Sequence, residues 1–298
     1  MKNRRVGGVV LAVLGVLAVG AASWGAPFPL TLTDQVGRQV TVEIEPERII
    51  SLSPSHTEIL YAIGLGDRLV GATEYCNYPA DAASKPRIGG FSDVDFEQVV
   101  GLAPDLVLVS TIHMSEVVPR LEELGISVFV INPPTVLDVL DGILTIGLLT
   151  GRGLTAAELV AEMAERIDAV VAAVEGASPP KVFWELGAEL YTAGPGSFVD
   201  DLIALAGGEN VAADAQSQWP QLSVEAIVLE DPDVIVLADH NYGETAEKVA
   251  ARPGWEGIRA VKEGRIVELT DDDIFSRPGP RIVEALEFLA RIFHPDRF

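Results

Sequence analysis

Short apolar runs alternate along the chain with stretches whose apolar residues recur at helical spacing. In FEQVVGLA, for example, Phe96, Val99, Val100 and Ala103 fall at i, i+3, i+4 and i+7, which predicts a short helix. Near-continuous apolar runs are typical of parallel strands that are covered on both faces. The runs are RIISLS, DLVLVS, SVFVIN, KVFWELG, DVIVLA and GRIVELT. Strands that alternate with helices predict an α/β fold with parallel sheets.

One helix-strand phrase occurs twice. DFEQVVGLAPDLVLV (Asp95–Val109) aligns without a gap to SVEAIVLEDPDVIVL (Ser223–Leu237), and Glu97 coincides with Glu225. The repeat predicts two similar α/β lobes, each with a central parallel sheet, and a ligand cleft between the lobes. We therefore expect an N-terminal lobe over 27–150, a connecting helix over 151–178 and a C-terminal lobe over 179–298.

The connecting segment TAAELVAEMAERIDAVVAAVEG contains no proline and no internal glycine. About 20 helical residues would span about 30 Å. The pattern therefore predicts one long helix that joins the lobes, and the alternative is an ordinary surface helix.

The N-terminus combines a basic start with an apolar run and small residues. Lys2, Arg4 and Arg5 precede the run, and Ala-Ala-Ser follows it. This order predicts a signal peptide over 1–26 and an exported, periplasmic or extracytoplasmic protein. The alternative is a retained membrane anchor, since Val6–Ala22 lies at the lower length limit for a spanning helix.

Charge and composition exclude several classes. The net charge of −23 argues against a nucleic-acid partner or an anionic membrane surface. The single cysteine, Cys76, allows no internal disulfide and lies too far from the cleavage region to be a lipobox cysteine. Phosphate-binding, zinc-protease and nucleophile-elbow motifs are absent, and the four histidines lack metal-ligand spacing. We therefore expect neither an enzyme nor a bound metal or cofactor, and a secreted α/β hydrolase is a minor alternative.

Aromatic side chains mark the loops at predicted strand ends. The loops are TEYCNYP, RIGGF, SQWPQLS and TDDDIFSRPGPR. Ligands of open parallel sheets bind outside the carboxyl ends of the strands. The predicted ligand site accordingly combines four aromatic residues with two polar ones, namely Tyr75, Phe91, Trp219, Phe275, Asp273 and Arg277. Such a lining suits a large, flat or partly apolar ligand. Each of these side chains also has a purely structural alternative, in core packing, a helix start or a local ion pair.

Several phrases together are similar to a known family. TDQVGRQVTVEIEPERIISLSPSHTEILYAIGLGDRLVG and PRIGGFSDVDFEQVVGLAPDLVL resemble the opening lobe of helical-backbone (class III) solute-binding proteins of ABC importers, which serve cobalamin, haem and iron-siderophore uptake. ATEYCNYP, QWPQLSVE and DIFSRPGPRI resemble the cobalamin-binding branch. The resemblance implies corrinoid contacts from Tyr75, Trp219, Asp273 and Arg277, and Phe91 stands where that branch can carry Trp.

One feature departs from the cobalamin branch. A further Trp is expected just after the LVLV strand, and Ser110 and Thr111 stand there instead. The alternative ligands on the same scaffold are therefore haem, a ferric siderophore or another metal chelate. A purely structural envelope protein would leave the aromatic loops unexplained.

The resemblance also gives the repeated glutamate a role. Members of the family dock on a two-fold permease, which works with a separate ATPase subunit, through one acidic residue on each lobe. Glu97 and Glu225 match those positions. The helical pattern predicts that Phe96, Val99 and Val100 face inward, and likewise Val224, Ile227 and Val228, which leaves both glutamates outward. The alternative is two ordinary solvated glutamates. We expect a monomer that binds a small molecule.

Overall fold

The computed structural model describes residues 28–298, so the predicted signal peptide and the candidate anchor lie outside the described residues. The chain divides into two compact units. The first comprises residues up to Pro133 together with Leu137–Glu165, and the second comprises Pro134–Val136 and Arg166–Phe298. The lobe boundaries expected from the sequence, and the cleft between the lobes, stay predictions.

The first unit contains a hairpin and a parallel sheet. Strands β1 (Leu30–Thr33) and β2 (Gln39–Val42) pair antiparallel. The four-stranded sheet is parallel throughout, in the order β4, β3, β5, β6. These strands are β3 (Ile49–Ser51), β4 (Leu69–Ala72), β5 (Leu106–Val109) and β6 (Ser127–Val130). Every residue of β5 is buried, as the continuous apolar run LVLV predicts for a strand covered on both faces.

Helices cover this sheet. They are α1 (Pro54–Ala62), α2 (Phe96–Gly101), α3 (Val117–Glu123) and α4 (Val136–Leu149). Short 3-10 turns occupy Gly66–Arg68, Ala80–Ser84 and Thr111–His113. Proline at the first position of α1 removes an amide that would have no helical partner. Val99 of α2 and Leu121 of α3 are fully buried against the apolar strands, which forms the core of the unit.

Helix α5 (Gly153–Val174) is a single uninterrupted helix of 22 residues, as the sequence predicts. It packs closely on α4, because a Cβ atom on Gly147 would lie 2.3 Å from the Ala156 Cβ. Glycine is therefore the residue that permits this approach. Within residues 28–298, no helix combines the length and the apolar character that a bilayer crossing requires.

The second unit repeats the topology of the first. Its sheet is parallel, in the order β10, β9, β7, β8. The strands are β7 (Lys181–Glu185), β8 (Glu209–Asn210), β9 (Val234–Leu237) and β10 (Ile266–Glu268). In each sheet, the first strand along the chain lies between the second and the third. The shared order confirms that the chain contains two similar α/β units.

The helices of the second unit are α6 (Phe198–Leu205), α7 (Val224–Glu230), α8 (Ala246–Ala250), α9 (Arg259–Lys262), α10 (Asp273–Ser276) and α11 (Ile282–Phe293). Helix α11 buries a continuous apolar face that includes Leu286 and Leu289. Arg166 donates to both carboxylate oxygens of Glu287 at 2.8 and 2.9 Å, which links α5 to α11.

The duplicated phrase is repeated at the level of single hydrogen bonds. Helices α2 and α7 begin at matched residues, and so do strands β5 and β9. The N-cap residues Asp95 and Ser223 also match. The Asp95 carboxylate accepts from the Gln98 amide and the Ser223 hydroxyl from the Ala226 amide, each at 3.1 Å. Two different side chains thus perform the same capping role in the two units.

Candidate ligand-binding site and the repeated glutamates

The loop after β4 carries Tyr75, which is 58% exposed. The next residue, Cys76, is fully buried, and its amide donates to the Thr73 carbonyl at 3.1 Å. Arg87 stabilises the same turn, because its guanidinium donates to the carbonyls of Thr73 at 2.6 Å and Cys76 at 3.1 Å. A ring this exposed does not serve to cover the core, so Tyr75 remains a candidate ligand contact on an ordered turn.

The Phe91 turn lies directly beside the Tyr75 loop. The Glu74 amide donates to the Gly89 carbonyl at 3.0 Å. Gly89 has a φ of 90°, and an added Cβ would lie 2.3 Å from the Asp93 carbonyl oxygen, so the turn requires glycine there. Phe91 itself is half-buried. The two aromatic residues predicted for the first unit therefore stand on adjoining, hydrogen-bonded loops.

A polar turn occupies the position after β5 where the resemblance predicts a further Trp. Ser110 is buried there and begins the 3-10 turn Thr111–His113. His113 is buried too, and its Nε2 lies 2.7 Å from the Phe91 carbonyl oxygen. In place of an aromatic surface, the chain has a hydrogen-bonded turn in contact with the Phe91 turn.

In the second unit, the segment after β7 pairs with the SQWPQLS loop as a short antiparallel ladder. The amides of Thr192 and Gly194 donate across it at 2.9 and 2.8 Å. Trp219 on one side is 51% exposed, and Tyr191 on the other is 46% exposed. The bridge between Tyr191 and Gln221 sets a register in which Tyr191 and Trp219 occupy diagonal positions on one face.

Tyr191 is therefore a candidate ligand contact that the sequence analysis missed. The signal was present, because an aromatic residue stands in the loop that follows the predicted strand KVFWELG. Its relation to Trp219 depends on a ladder between segments almost 30 residues apart, and local patterns do not show such pairing.

The remaining predicted residues lie on or next to α10. The Asp273 carboxylate and the Arg277 guanidinium form an ion pair at 2.6 Å, and Arg277 is largely buried. Phe275 is only 4% exposed, and its ring packs 5.9 Å from Trp184 and 5.5 Å from Phe288. Phe275 is thus a core residue in this structure, which leaves its predicted ligand contact without support. Asp273 keeps about a third of its side chain accessible.

A buried charged cluster lies at the carboxyl end of β7. Arg252 donates to both oxygens of fully buried Glu185, at 2.7 and 2.5 Å, and to Glu244 at 2.9 Å. Asp239, two residues beyond β9, is 3% exposed. Within residues 28–298 neither of its carboxylate oxygens has a hydrogen-bond partner. Burial, reinforced by the charge of Glu185, raises the pKa of Asp239 to about 6.

Glu97 and Glu225 are both exposed, at the second position of α2 and α7. A carboxylate in the first turn also interacts favourably with the helix dipole, so each position has a local reason as well. The apolar faces of these helices are narrower than the sequence predicts. Val99 and Ile227 are fully buried, whereas residues predicted to face inward are exposed by 37–46%, namely Val100, Val224 and Val228. The prediction was wrong for these three valines because helices of only six and seven residues fully bury one side chain each, Val99 and Ile227.

Beside Glu97 lies an open surface depression of about 650 Å³. Val100 and Leu124 contribute its apolar lining. Arg120 lies over the Phe96 ring, with its guanidinium carbon 3.8 Å from the ring centroid. Glu97 therefore lies beside the exposed apolar side chains Val100 and Leu124 as well as beside the charged Arg120.

Among the described residues, no group of three or more His, Cys, Asp or Glu side chains is placed to hold a metal ion. The features that the two units share are aromatic residues on the loops and an exposed glutamate on the matched helix. Two α/β units, each with a parallel sheet and with exposed aromatic side chains on loops beyond its strands, suit a protein that binds a solute.

The chain belongs to the periplasmic binding protein family, whose model matches residues 49–272. This family consists of binding proteins, so the chain is not an enzyme, and the hydrolase alternative is set aside. The family resemblance drawn from the sequence is thereby confirmed.

Two relatives match over most of the chain. An uncharacterised ABC transporter substrate-binding lipoprotein of Bacillus subtilis (strain 168) is 36% identical over 280 residues, which cover 91% of this chain and 87% of the relative. A cobalamin-binding protein of Halobacterium salinarum (strain R1) is 37% identical over 277 residues, which cover 90% of this chain and 74% of the relative.

Two solved structures show the same fold. The periplasmic vitamin B12-binding protein of Vibrio cholerae has a TM-score of 0.72 at 27% identity and covers 84% of this chain and 98% of its own. The apo periplasmic haem-binding protein of Roseiflexus sp. RS-1 has a TM-score of 0.74 at 28% identity, and the coverage is 85% and 99%.

Proposed function

We propose that this chain is an exported solute-binding protein that captures a corrinoid, cobalamin or cobinamide, and delivers it to an ABC transporter permease. The observation that supports this most directly is the ladder that holds Trp219 and Tyr191 half-exposed on one face. Flat macrocycles stack on such rings, and stacked aromatic pairs contribute about 0.5–1.5 kcal/mol beyond the area that they bury.

The first unit contributes Tyr75 and the Phe91 turn. Both units supply exposed rings on ordered loops, and Asp273 with its partner Arg277 supplies polar groups that can orient a ligand. Small-molecule sites typically use apolar rings together with a few placed polar groups, and these are the kinds of side chain that the two units supply. The Halobacterium relative and the Vibrio structure are both named for this ligand.

Haem is the second candidate. It is also a flat macrocycle, and the Roseiflexus structure is that of a haem-binding protein. Ser110 stands where the cobalamin branch is expected to carry Trp, which weakens the likeness to that branch at one position.

The ligand is identified by calorimetry on the mature protein with cyanocobalamin, cobinamide, haemin and a ferric siderophore. We expect saturable 1:1 binding of a corrinoid. Saturable binding of haemin or of the siderophore, without heat from either corrinoid, contradicts the corrinoid assignment and supports the second candidate.

The partner is a permease with its separate ATPase subunit, in line with the name of the Bacillus relative. Glu97 and Glu225 are exposed at matched positions of the two units, which suits pairing with two arginines of a two-fold symmetric membrane protein. The protein acts as a monomer. Light scattering coupled to size-exclusion chromatography measures the mass, and a dimer mass at micromolar concentration contradicts that proposal.

Export rests on the signal-peptide pattern in residues 1–26. N-terminal sequencing of protein from the extracytoplasmic fraction should begin near Ala26 or Pro27. An intact N-terminus in the membrane fraction would instead indicate a retained anchor.

A further inference from the structure

His113 links two elements of the first unit that are distant in sequence. It closes the 3-10 turn after β5 and is 1% exposed. Its Nδ1 accepts a hydrogen bond from the Ser110 amide at 3.0 Å. Its Nε2 lies 2.7 Å from the Phe91 carbonyl oxygen, and its ring meets the Phe91 ring edge-on at a centroid distance of 5.4 Å.

These contacts define one state of the imidazole. Nδ1 faces an amide N–H and must therefore present its lone pair, so the proton lies on Nε2 and is donated to the Phe91 carbonyl. Burial lowers the pKa of His113, which keeps the ring neutral near pH 7. A second proton would place two N–H groups against each other at Ser110. The ring is thus held in one tautomer and one orientation.

The Phe91 turn depends on contacts of this kind. Its backbone lies in the left-handed region at Gly89 and returns through a bridge to Val94. Phe91 itself is only half-buried. The bond from His113 fixes the Phe91 carbonyl relative to β5, a central strand of the sheet, and so fixes the backbone from which the Phe91 ring projects.

We propose that His113 is a positioning residue of the ligand site, which holds the Phe91 ring at the orientation in which it contacts a bound macrocycle. The proposal rests on the proposed function for its ligand. Its structural part, the ordering of the Phe91 turn, does not depend on what the ligand is. After β5 the chain thus has the polar turn Ser110–His113 in place of the expected Trp. This turn supports a different aromatic residue, Phe91.

Two substitutions separate the two hydrogen bonds of His113. Asparagine places an acceptor where Nδ1 is and cannot reach Phe91, whereas glutamine places a donor where Nε2 is and loses the acceptor for Ser110. Amide hydrogen exchange of 89–93 and of 110–113 is measured without ligand, and affinity for cyanocobalamin and cobinamide is measured by calorimetry. One neutral hydrogen bond corresponds to about a fivefold change in an equilibrium constant.

We expect His113→Asn to accelerate exchange at 89–93 by about fivefold and to weaken corrinoid binding by a similar factor, with the Ser110 turn protected. His113→Gln should accelerate exchange at Ser110 and keep both the Phe91 turn and the affinity within about twofold of wild type. A general loss of stability would affect the two variants alike. A difference between them in exchange at 89–93 and in corrinoid affinity therefore indicates that His113 positions the Phe91 turn.

Unchanged exchange at 89–93 in a folded His113→Asn protein overturns the proposal. So does faster exchange there with full corrinoid affinity. If His113→Asn does not fold, His113→Gln decides, because loss of protection at the Phe91 turn in that variant is incompatible with the proposed contact. If the wild type binds no corrinoid while the exchange pattern appears as expected, the proposed ligand is wrong and the ordering of the turn by His113 stands.

Discussion

Acidification should destabilise the first unit through His56, a histidine in the first turn of α1. The side chain is 1% exposed, its Nε2 lies 3.0 Å from the Ile131 carbonyl oxygen, and its Nδ1 has no hydrogen-bond partner within residues 28–298. Burial, and then repulsion from His113, lowers the pKa of His56 from 6.5 to about 4. The positive end of the helix dipole acts in the same direction.

The sign of the effect follows from proton binding. Because the folded-state pKa is lowered, the unfolded chain binds the proton more readily, and the stabilising contribution is complete above pH 6.5 and is lost as the pH falls towards 4. With these two pKa values, the loss is about 2 kcal/mol at pH 5 and about 3 kcal/mol at pH 4.

The assay compares wild type with His56→Gln, which keeps a donor for the Ile131 carbonyl and cannot titrate. Exchange of the buried β5 amides, corrected for intrinsic rates, gives the free energy of the opening that exposes β5. The stability of wild type relative to the variant should fall by about 2 kcal/mol between pH 7.5 and pH 5. Parallel pH profiles for the two proteins would refute the reasoning.

Other predictions address the site and the charges. Trp219→Ala and Tyr191→Ala should each weaken corrinoid binding several-fold while the melting temperature stays nearly constant, and a large fall in melting temperature with full affinity would make them structural residues. The double change Glu97→Ala, Glu225→Ala should leave ligand affinity intact and impair docking on the cognate permease in nanodiscs, whereas normal docking and transport would leave the repeat without this role. For Asp239, whose pKa is raised from 3.8 to about 6, the stabilising contribution is present below pH 3.8 and lost as the pH rises through about 6. Asp239→Asn should therefore gain stability over wild type across that interval in denaturant titrations, and a pH-independent difference would contradict the raised pKa.

Much of the fold follows from local pattern. Four-residue runs such as LVLV and VIVL are apolar on both faces, and this predicts buried parallel strands without knowledge of their neighbours. The uninterrupted helix Gly153–Val174 follows from the absence of proline and internal glycine. The duplication is visible because both copies keep the same helix start and the same strand start.

The candidate site is only partly local. That Tyr75 and Trp219 stand on strand-end loops is readable from the sequence. The contact between His113 and Phe91 joins residues 22 positions apart, and the ladder that brings Tyr191 to Trp219 joins loops on either side of α6. Spacing along the chain carries no information about such pairs, because they depend on which loops the sheet order makes neighbours.

Burial at the ends of the elements was also decided by tertiary structure. Val99 and Val100 are adjacent and chemically identical, yet one is fully buried and the other is 46% exposed. Phe275 stands in the acidic segment TDDDIFSRPGPR, yet it packs between Trp184 and Phe288. The sequence alone located the most apolar strands and the long helix Gly153–Val174, because steric preference and apolar periodicity act over a few residues. Which side chains those segments bury depended on how much of each short helix the neighbouring sheet covers, and that is a property of the assembled unit.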